Sequence, residues 1–130
     1  MAKNTWEQAT VWHELMSEQP ERAKKFYHDV VGLTVEPLEG SPFPYMVWMH
    51  DDVPIGGLVP PQNGQQGWPS GKTPHWVSSF VVEDVDQAVK TAQELGGEVL
   101  VPPTDIPKFG RAAVLKDPEG AVFGIFQGPA

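Results

Sequence analysis

Residues 19–32 read QPERAKKFYHDVVG, and residues 84–97, sixty-five positions later, read DVDQAVKTAQELGG. Both segments space their small and apolar residues as one face of a helix does, and both end on glycine, so each predicts an amphipathic helix. Pro20 suits the first turn of the earlier helix, and Asp84 suits the N-cap of the later one. Two equivalent helices at a constant offset indicate an internal duplication.

Short runs of β-branched, apolar and aromatic residues flank the two helices in the same order. One strand is predicted before each helix and three after it. In the first copy the strands are predicted at 11–16 and at about 33–36, 45–50 and 54–59. In the second copy they are predicted at 76–82 and at about 98–101, 112–116 and 121–127, with a turn at Asp117-Pro118-Glu119-Gly120.

These elements predict a single α+β domain made of two βαβββ modules. The modules span about 8–60 and 75–128, and a linker rich in Gly, Gln and Pro joins them at about 61–74. Two such four-stranded sheets can pair edge to edge into one curved, cup-like mixed sheet with the helices outside. Alternate residues of strands from both copies then line the concave wall, where a ligand site is expected.

The amino-acid composition and the net charge limit the classes of function that we expect. The chain has 130 residues, no cysteine and a net charge of −8, so disulfides and thiolate chemistry are excluded. The acidic charge argues against a nucleic-acid partner. The apolar runs are too short to span a bilayer, and the first residues lack the apolar core of a secretory signal. We expect a cytoplasmic protein without a membrane partner.

Several motifs resemble those of the vicinal oxygen chelate superfamily, which includes glyoxalase I, extradiol dioxygenases and bleomycin-resistance proteins. The resemblance covers essentially the whole chain. It is carried by PERAKKFY at 20–27 with Gly32-Leu33, by VEDVDQA at 82–88, by Gly96-Gly97, and by Gly110-Arg111 leading to DPEG at 117–120. It implies a bacterial homodimer, with Trp6 and the linker as candidate contacts between subunits.

Metal-dependent members of that superfamily place one His, Gln or Glu ligand on each of four inner strands. Carried over to this chain, those positions hold Trp12, approximately Gly57, Val77 and Gly124. None of these side chains can bind a divalent cation. The resemblance, with this departure, predicts that neither a metal nor another cofactor is used.

A register slip does not restore a metal site. Moving the first ligand to His13 would turn the side chain to the opposite face of the sheet, and His13 and Glu14 cannot both face one ion from a regular strand. The segment His50-Asp51-Asp52 is the one local group of metal-like ligands, and we expect it to be a solvated hairpin turn.

Glu14 is the candidate catalytic residue. If Trp12 faces the cup, Glu14 and Met16 do too, and a carboxylate on an apolar wall should have a raised pKa and could act as an acid or a base. Alternatively, Glu14 pairs with Arg111, caps a nearby backbone group, or lies at the wet mouth of the cup. Arg111 could instead hold an anionic group of a ligand, although the structural role is favoured.

The aromatic residues predict the nature of the ligand. An indole at Trp12 and the ring of Phe126 on the opposite copy would form a flat apolar slot, suited to a planar, apolar or cationic small molecule. Ser79 would add a hydrogen-bonding group to this slot. The predicted ligand-binding residues are Trp12, Glu14, Val77, Ser79, Arg111, Gly124 and Phe126.

Three functions follow as hypotheses. The first is a metal-independent protein that binds a small molecule in the cup. The second is an enzyme of the same superfamily, a lyase, isomerase or dioxygenase, that uses Glu14 or noncanonical metal ligands. The third is an interaction module whose cup is filled by its own side chains.

Overall fold

The computed structural model describes residues 11–41, 45–61 and 67–129, and Trp6 lies outside these ranges. Ten elements follow one another as a strand, a helix and three strands, twice over. The first module comprises β1 (Val11–Met16), α1 (Pro20–Val31), β2 (Thr34–Pro37), β3 (Met46–His50) and β4 (Val53–Val59). The second comprises β5 (His75–Val81), α2 (Val85–Glu94), β6 (Glu98–Ile106), β7 (Gly110–Lys116) and β8 (Val122–Gln127).

All eight strands form one mixed sheet in the order β2-β3-β4-β1-β5-β8-β7-β6. Within each module the first strand runs parallel to the last, and the remaining neighbours are antiparallel. The two modules join through β1 and β5, which pair antiparallel. In the described residues β2 and β6 remain the two edges, so the sheet is not closed into a barrel. The predicted α+β class with two βαβββ modules is confirmed.

The first helix begins and ends where its sequence predicts. Pro20 lies in its first turn, and Gly32 follows its end in the left-handed conformation, with φ of 86°. Ala23 and Tyr27 pack from this helix against one face of the sheet. The buried residues that they cover are Leu15, Leu33, Trp48 and Leu58.

The second helix has the predicted N-cap. The side chain of Asp84 accepts a hydrogen bond from the backbone N–H of Gln87 at 3.1 Å. Val85 and Val89 are buried beneath the helix against Ala113, Leu115 and Ile125. In the described part of the chain, neither helix is long and apolar enough to cross a membrane.

The main departure from prediction is β6, which continues to Ile106 instead of ending near Val101. Pro102 and Pro103 lack the N–H that a central strand needs, but β6 is an edge strand and pairs only with β7. Its register with β7 shifts on both sides of Val101, and these irregularities accommodate the prolines.

Candidate functional site

The concave face of the sheet encloses a cavity of about 700 Å³, lined by strands of both modules. Four of the predicted ligand-binding residues line it: Trp12, Glu14, Ser79 and Phe126. Most of the remaining wall is apolar and includes Leu38, Val81, Val101, Ile106, Phe109 and Val114. The side chains of the described residues leave this space unfilled, which argues against a cup that is filled by its own side chains.

Strand alternation places the residues of β1 as predicted. Trp12, Glu14 and Met16 all line the cavity. His13 lies exposed on the other face, where its Nδ1 is 3.3 Å from the Oγ of Ser78. A single strand thus supplies an indole, a carboxyl group and a thioether to the same wall.

A short relay of hydrogen bonds connects the polar groups of this wall. The indole N–H of Trp12 donates to the hydroxyl oxygen of Tyr45 at 2.9 Å, and the Tyr45 hydroxyl donates to Oε2 of Glu14 at 2.6 Å. An indole nitrogen can only donate, so both hydrogen bonds run toward the carboxyl group. Oε1 of Glu14 has no hydrogen-bond partner among the described residues.

Burial dominates the electrostatics of this relay. It raises the pKa of Glu14, while the hydrogen bond from Tyr45 acts in the opposite direction. Burial also holds the pKa of Tyr45 well above its ordinary value of 10.0, reinforced by the neighbouring carboxyl group. Glu14 carries the one carboxyl group among the described lining residues, and none of those residues carries a cationic side chain.

Two glycines make room for the polar groups at the floor of the cavity. Gly57 lies beside Glu14 in the parallel pairing of β1 with β4, and a Cβ on Gly57 would overlap the hydroxyl of Tyr45. A Cβ on Gly124 would likewise overlap the Oγ of Ser79. At both of these carried-over metal positions, a neighbouring hydroxyl occupies the space that a ligand side chain would need.

The sequence does not identify Tyr45, which directly precedes β3, as a site residue. Its position indicates only that it belongs to a predicted strand, and not which groups its side chain contacts. Its backbone carbonyl accepts a hydrogen bond from Leu38 at 2.9 Å, which fixes the segment entering β3. The signal that could have found it is Gly56-Gly57 in a strand, since glycine inside a strand marks a close approach by another group.

The described side chains of the cavity wall offer few donors to a divalent metal. No group of three or more His, Asp or Glu side chains that could hold an ion occurs within residues 11–41, 45–61 and 67–129. The described cavity wall offers one carboxyl group, whereas a catalytic zinc needs three protein ligands. Asp51 and Asp52 form the tight turn between β3 and β4 with positive φ, and His50 beside them is exposed.

Three predicted ligand-binding residues do not line the cavity. Gly124 lies beneath Ser79. Val77 is covered by Met16 and Trp68. The indole N–H of Trp68 donates to the carbonyl of Pro60 at 3.3 Å.

Arg111 is the third, and the suggested ion pair between Arg111 and Glu14 is wrong. Its guanidinium binds both carboxylate oxygens of Asp86 on α2 at 2.9 and 3.0 Å, and Asp105 at 2.9 Å. The neighbouring Ala112 lines the cavity, so alternation along β7 directs Arg111 to the opposite, helix-covered face.

Known proteins share this fold and sequence pattern. The profile of the Glyoxalase/Bleomycin resistance protein/Dioxygenase superfamily matches residues 10–125. "Putative glyoxylase CFP32" of Mycobacterium tuberculosis is 38% identical over 118 residues, which are 90% of this chain and 43% of that protein. "Anthracycline biosynthesis protein DnrV" of Streptomyces peucetius is 36% identical over 118 residues, 89% of this chain and 40% of that protein. The chain therefore spans less than half the length of these two relatives.

A solved structure shows the same fold. The Mn(II)-bound glyoxalase from Novosphingobium aromaticivorans superposes with a TM-score of 0.57 at 16% identity, over 89% of this chain and 37% of that chain.

Proposed function

Given that the chain belongs to the Glyoxalase/Bleomycin resistance protein/Dioxygenase superfamily, we propose that it binds a small planar, apolar or cationic molecule in its cup without a metal ion. The single observation that carries this proposal is the cavity of about 700 Å³, apolar on most of its wall, with Glu14, Tyr45 and Trp12 joined at its floor. Cavities of this size and make-up suit drug-sized ligands.

The walls and the floor contribute differently to binding. Burial of the ligand's hydrophobic surface against apolar side chains such as Val101, Ile106 and Phe109 favours binding. The Trp12 and Phe126 side chains add aromatic surfaces from the two modules. Oε1 of Glu14 and the hydroxyl of Ser79 supply the few polar contacts that fix orientation.

Metal independence rests on donor chemistry. Trp12, Gly57, Val77 and Gly124 stand where metal-dependent relatives carry ligands, and two of these positions are overlapped by hydroxyl groups of Tyr45 and Ser79. The names of the Streptomyces relatives, which refer to anthracycline biosynthesis, are compatible with a small organic ligand.

Calorimetric titration of the EDTA-treated protein with neutral aromatic alcohols, 2-naphthalenemethanol and 9-anthracenemethanol, tests the proposal. We expect saturable binding with one ligand per chain. Ala112→Phe places a ring in the cavity and should abolish binding, whereas His13→Gln, on the opposite face of β1, should not change it. No saturable binding of either alcohol, or equal binding by the Ala112→Phe variant, would refute the proposal.

A second candidate function is metal-free proton transfer by Glu14. It is favoured by one observation: the partly buried carboxyl group lines the cavity, and its Oε1 has no hydrogen-bond partner among the described residues. Burial raises the pKa of Glu14 toward the range useful for an acid or base. Proton transfer by Glu14 is also suggested by analogy of fold, because the superfamily includes lyases and isomerases. The test is whether a bound ketone exchanges a carbon-bound hydrogen for deuterium. Exchange that is lost in Glu14→Gln but kept in His13→Gln would support this function.

The cytoplasmic location and the homodimer also remain proposals. On α1, Phe26 and Val30 are 57% and 63% exposed, and such apolar exposure is compatible with a second copy covering this helix. Sedimentation velocity should give a dimer for the wild-type chain and a monomer for Val30→Lys.

A further inference from the structure

Glu14 is partly buried on the cavity wall, and no described lining residue supplies it with a counter-charge. A buried carboxylate is ordinarily paired with a cation, because an isolated charge loses its hydration without compensation. The described lining residues contain no lysine, arginine or histidine. Arg111, the cation that sequence analysis placed nearest, is engaged on the other face by Asp86 and Asp105.

The hydrogen-bond relay is oriented to support a negative charge at Glu14. Trp12 donates to Tyr45 and Tyr45 donates to Oε2, so two successive donors point toward the carboxyl group. Hydrogen bonds arranged head to tail polarise one another and strengthen the last one when its acceptor is charged. Oε1, which has no hydrogen-bond partner among the described residues, can accept from a group in the cavity.

We infer that the ligand brings a protonated amine, and that its nitrogen pairs with Oε1 of Glu14 while its apolar, aromatic part lies against Trp12 and Phe126. This inference rests on the proposed function and narrows its ligand class to monocations with a hydrophobic body. An anionic ligand would meet a like charge, with no compensating cation among the described lining residues. The net charge of −8 also attracts cations from a distance.

Three ligands of the same shape and different charge test the inference. They are 2-naphthylmethylamine, 2-naphthalenemethanol and 2-naphthoate, each titrated calorimetrically into the wild-type chain at low salt and neutral pH. We expect the amine to bind at least tenfold more tightly than the alcohol, and the naphthoate at least tenfold more weakly. Amine affinity should fall as the pH is lowered through the pKa of Glu14, because protonation removes the carboxylate.

Matched variants locate the effect. Glu14→Gln should bring the affinities of amine and alcohol within about twofold of each other, while the alcohol still binds. Tyr45→Phe, which removes the donor to Oε2, should reduce the preference for the amine without a charge change in the cavity. His13→Gln should keep the wild-type preference. Circular dichroism establishes that each variant is folded.

The outcomes separate this inference from the proposed function. Equal affinity of the amine and the alcohol in the wild type, or a preference for the amine that persists in Glu14→Gln, would overturn the inference and leave cavity binding intact. Failure of all three compounds to bind would overturn the proposed function and the inference together.

Discussion

The hydroxyl of Tyr45 occupies the space that a side chain at Gly57 would fill, and from there it donates a hydrogen bond to Glu14 at 2.6 Å. A single glycine on β4 therefore decides what lies at the floor of the cavity. Gly57 is one of the positions to which the superfamily resemblance carries a metal ligand. Here glycine has no side chain, and the phenol of Tyr45 occupies that space.

Replacement of Gly57 by alanine should displace Tyr45 and break its hydrogen bond to Glu14. Because the added methyl group overlaps the partly buried ring and hydroxyl of Tyr45, we expect the free energy of unfolding to fall by about 1–3 kcal/mol, measured by urea denaturation. Binding of 2-naphthalenemethanol should weaken as the floor rearranges.

Gly128→Ala provides the matched control, because a Cβ at Gly128 meets nothing within 4 Å. Its effect on stability should stay within about 0.5 kcal/mol. The double variant Gly57→Ala, Tyr45→Ala should lose less free energy of unfolding than the sum of the two single losses. The reason is that Tyr45→Ala removes the ring and hydroxyl that the new methyl group would overlap. Strict additivity would show that Tyr45 does not lie over Gly57.

Replacement of Glu14 by glutamine should change how stability depends on pH. The pKa of Glu14 is raised above its ordinary value of 4.5 in the folded chain, so between the two values the folded chain binds more protons than the unfolded chain. The contribution of Glu14 is therefore present at low pH and is lost as pH rises through the folded pKa, with a slope of up to about 1.4 kcal/mol per pH unit.

Urea denaturation at closely spaced pH values, for wild type and Glu14→Gln in parallel, measures this effect. The surface carboxylates, including Asp29 and Asp86, whose pKa values are lowered by ion pairs, are common to both proteins and cancel in the difference. The stability of Glu14→Gln relative to wild type should rise with pH across the window. A difference that is constant or falls with pH would contradict the burial of an ionisable Glu14.

Removal of the Arg111 guanidinium should leave the cavity unaffected. Its partners Asp86 and Asp105 are 56% and 79% exposed, so Arg111→Ala should lower the free energy of unfolding by no more than about 1 kcal/mol. The calorimetric affinity for 2-naphthalenemethanol should match that of the wild type. A tenfold loss of affinity would mean that Arg111 reaches the ligand after all.

Truncation of Trp12 should affect binding more than any change on the outer face. Trp12→Ala removes an aromatic wall and also the N–H that holds Tyr45, so the affinity for 2-naphthalenemethanol should fall at least tenfold. Trp76→Ala is the control, because Trp76 packs against Tyr27 and Trp48, beneath α1. Equal losses for the two variants would indicate a general effect on stability instead of a cavity contact.

The fold was predictable because its signals are local and repeated. Helix ends are marked by Asp84 and Gly32, and strand alternation alone placed Trp12 and Glu14 on one wall. The extension of β6 was missed because the prolines at 102 and 103 normally end a strand, and only its position at the sheet edge permits them.

The site was less predictable because it depends on contacts between distant segments. Tyr45 meets Glu14 across 31 residues of sequence, and no periodicity encodes that contact. The partners of Arg111 depend on which face of β7 it occupies, and the sequence left that register open. Val77 lies on the predicted inner face but is covered by Trp68, a residue of the linker.

A crystal structure of the EDTA-treated protein with 2-naphthalenemethanol tests most directly whether the cup binds a ligand without a metal ion. We expect the naphthalene ring inside the cavity between Trp12 and Phe126, with its hydroxyl within hydrogen-bond distance of Glu14 and with the Tyr45 relay intact. An empty cavity with the ligand bound elsewhere, or a metal ion held by residues of the cavity wall, would contradict it.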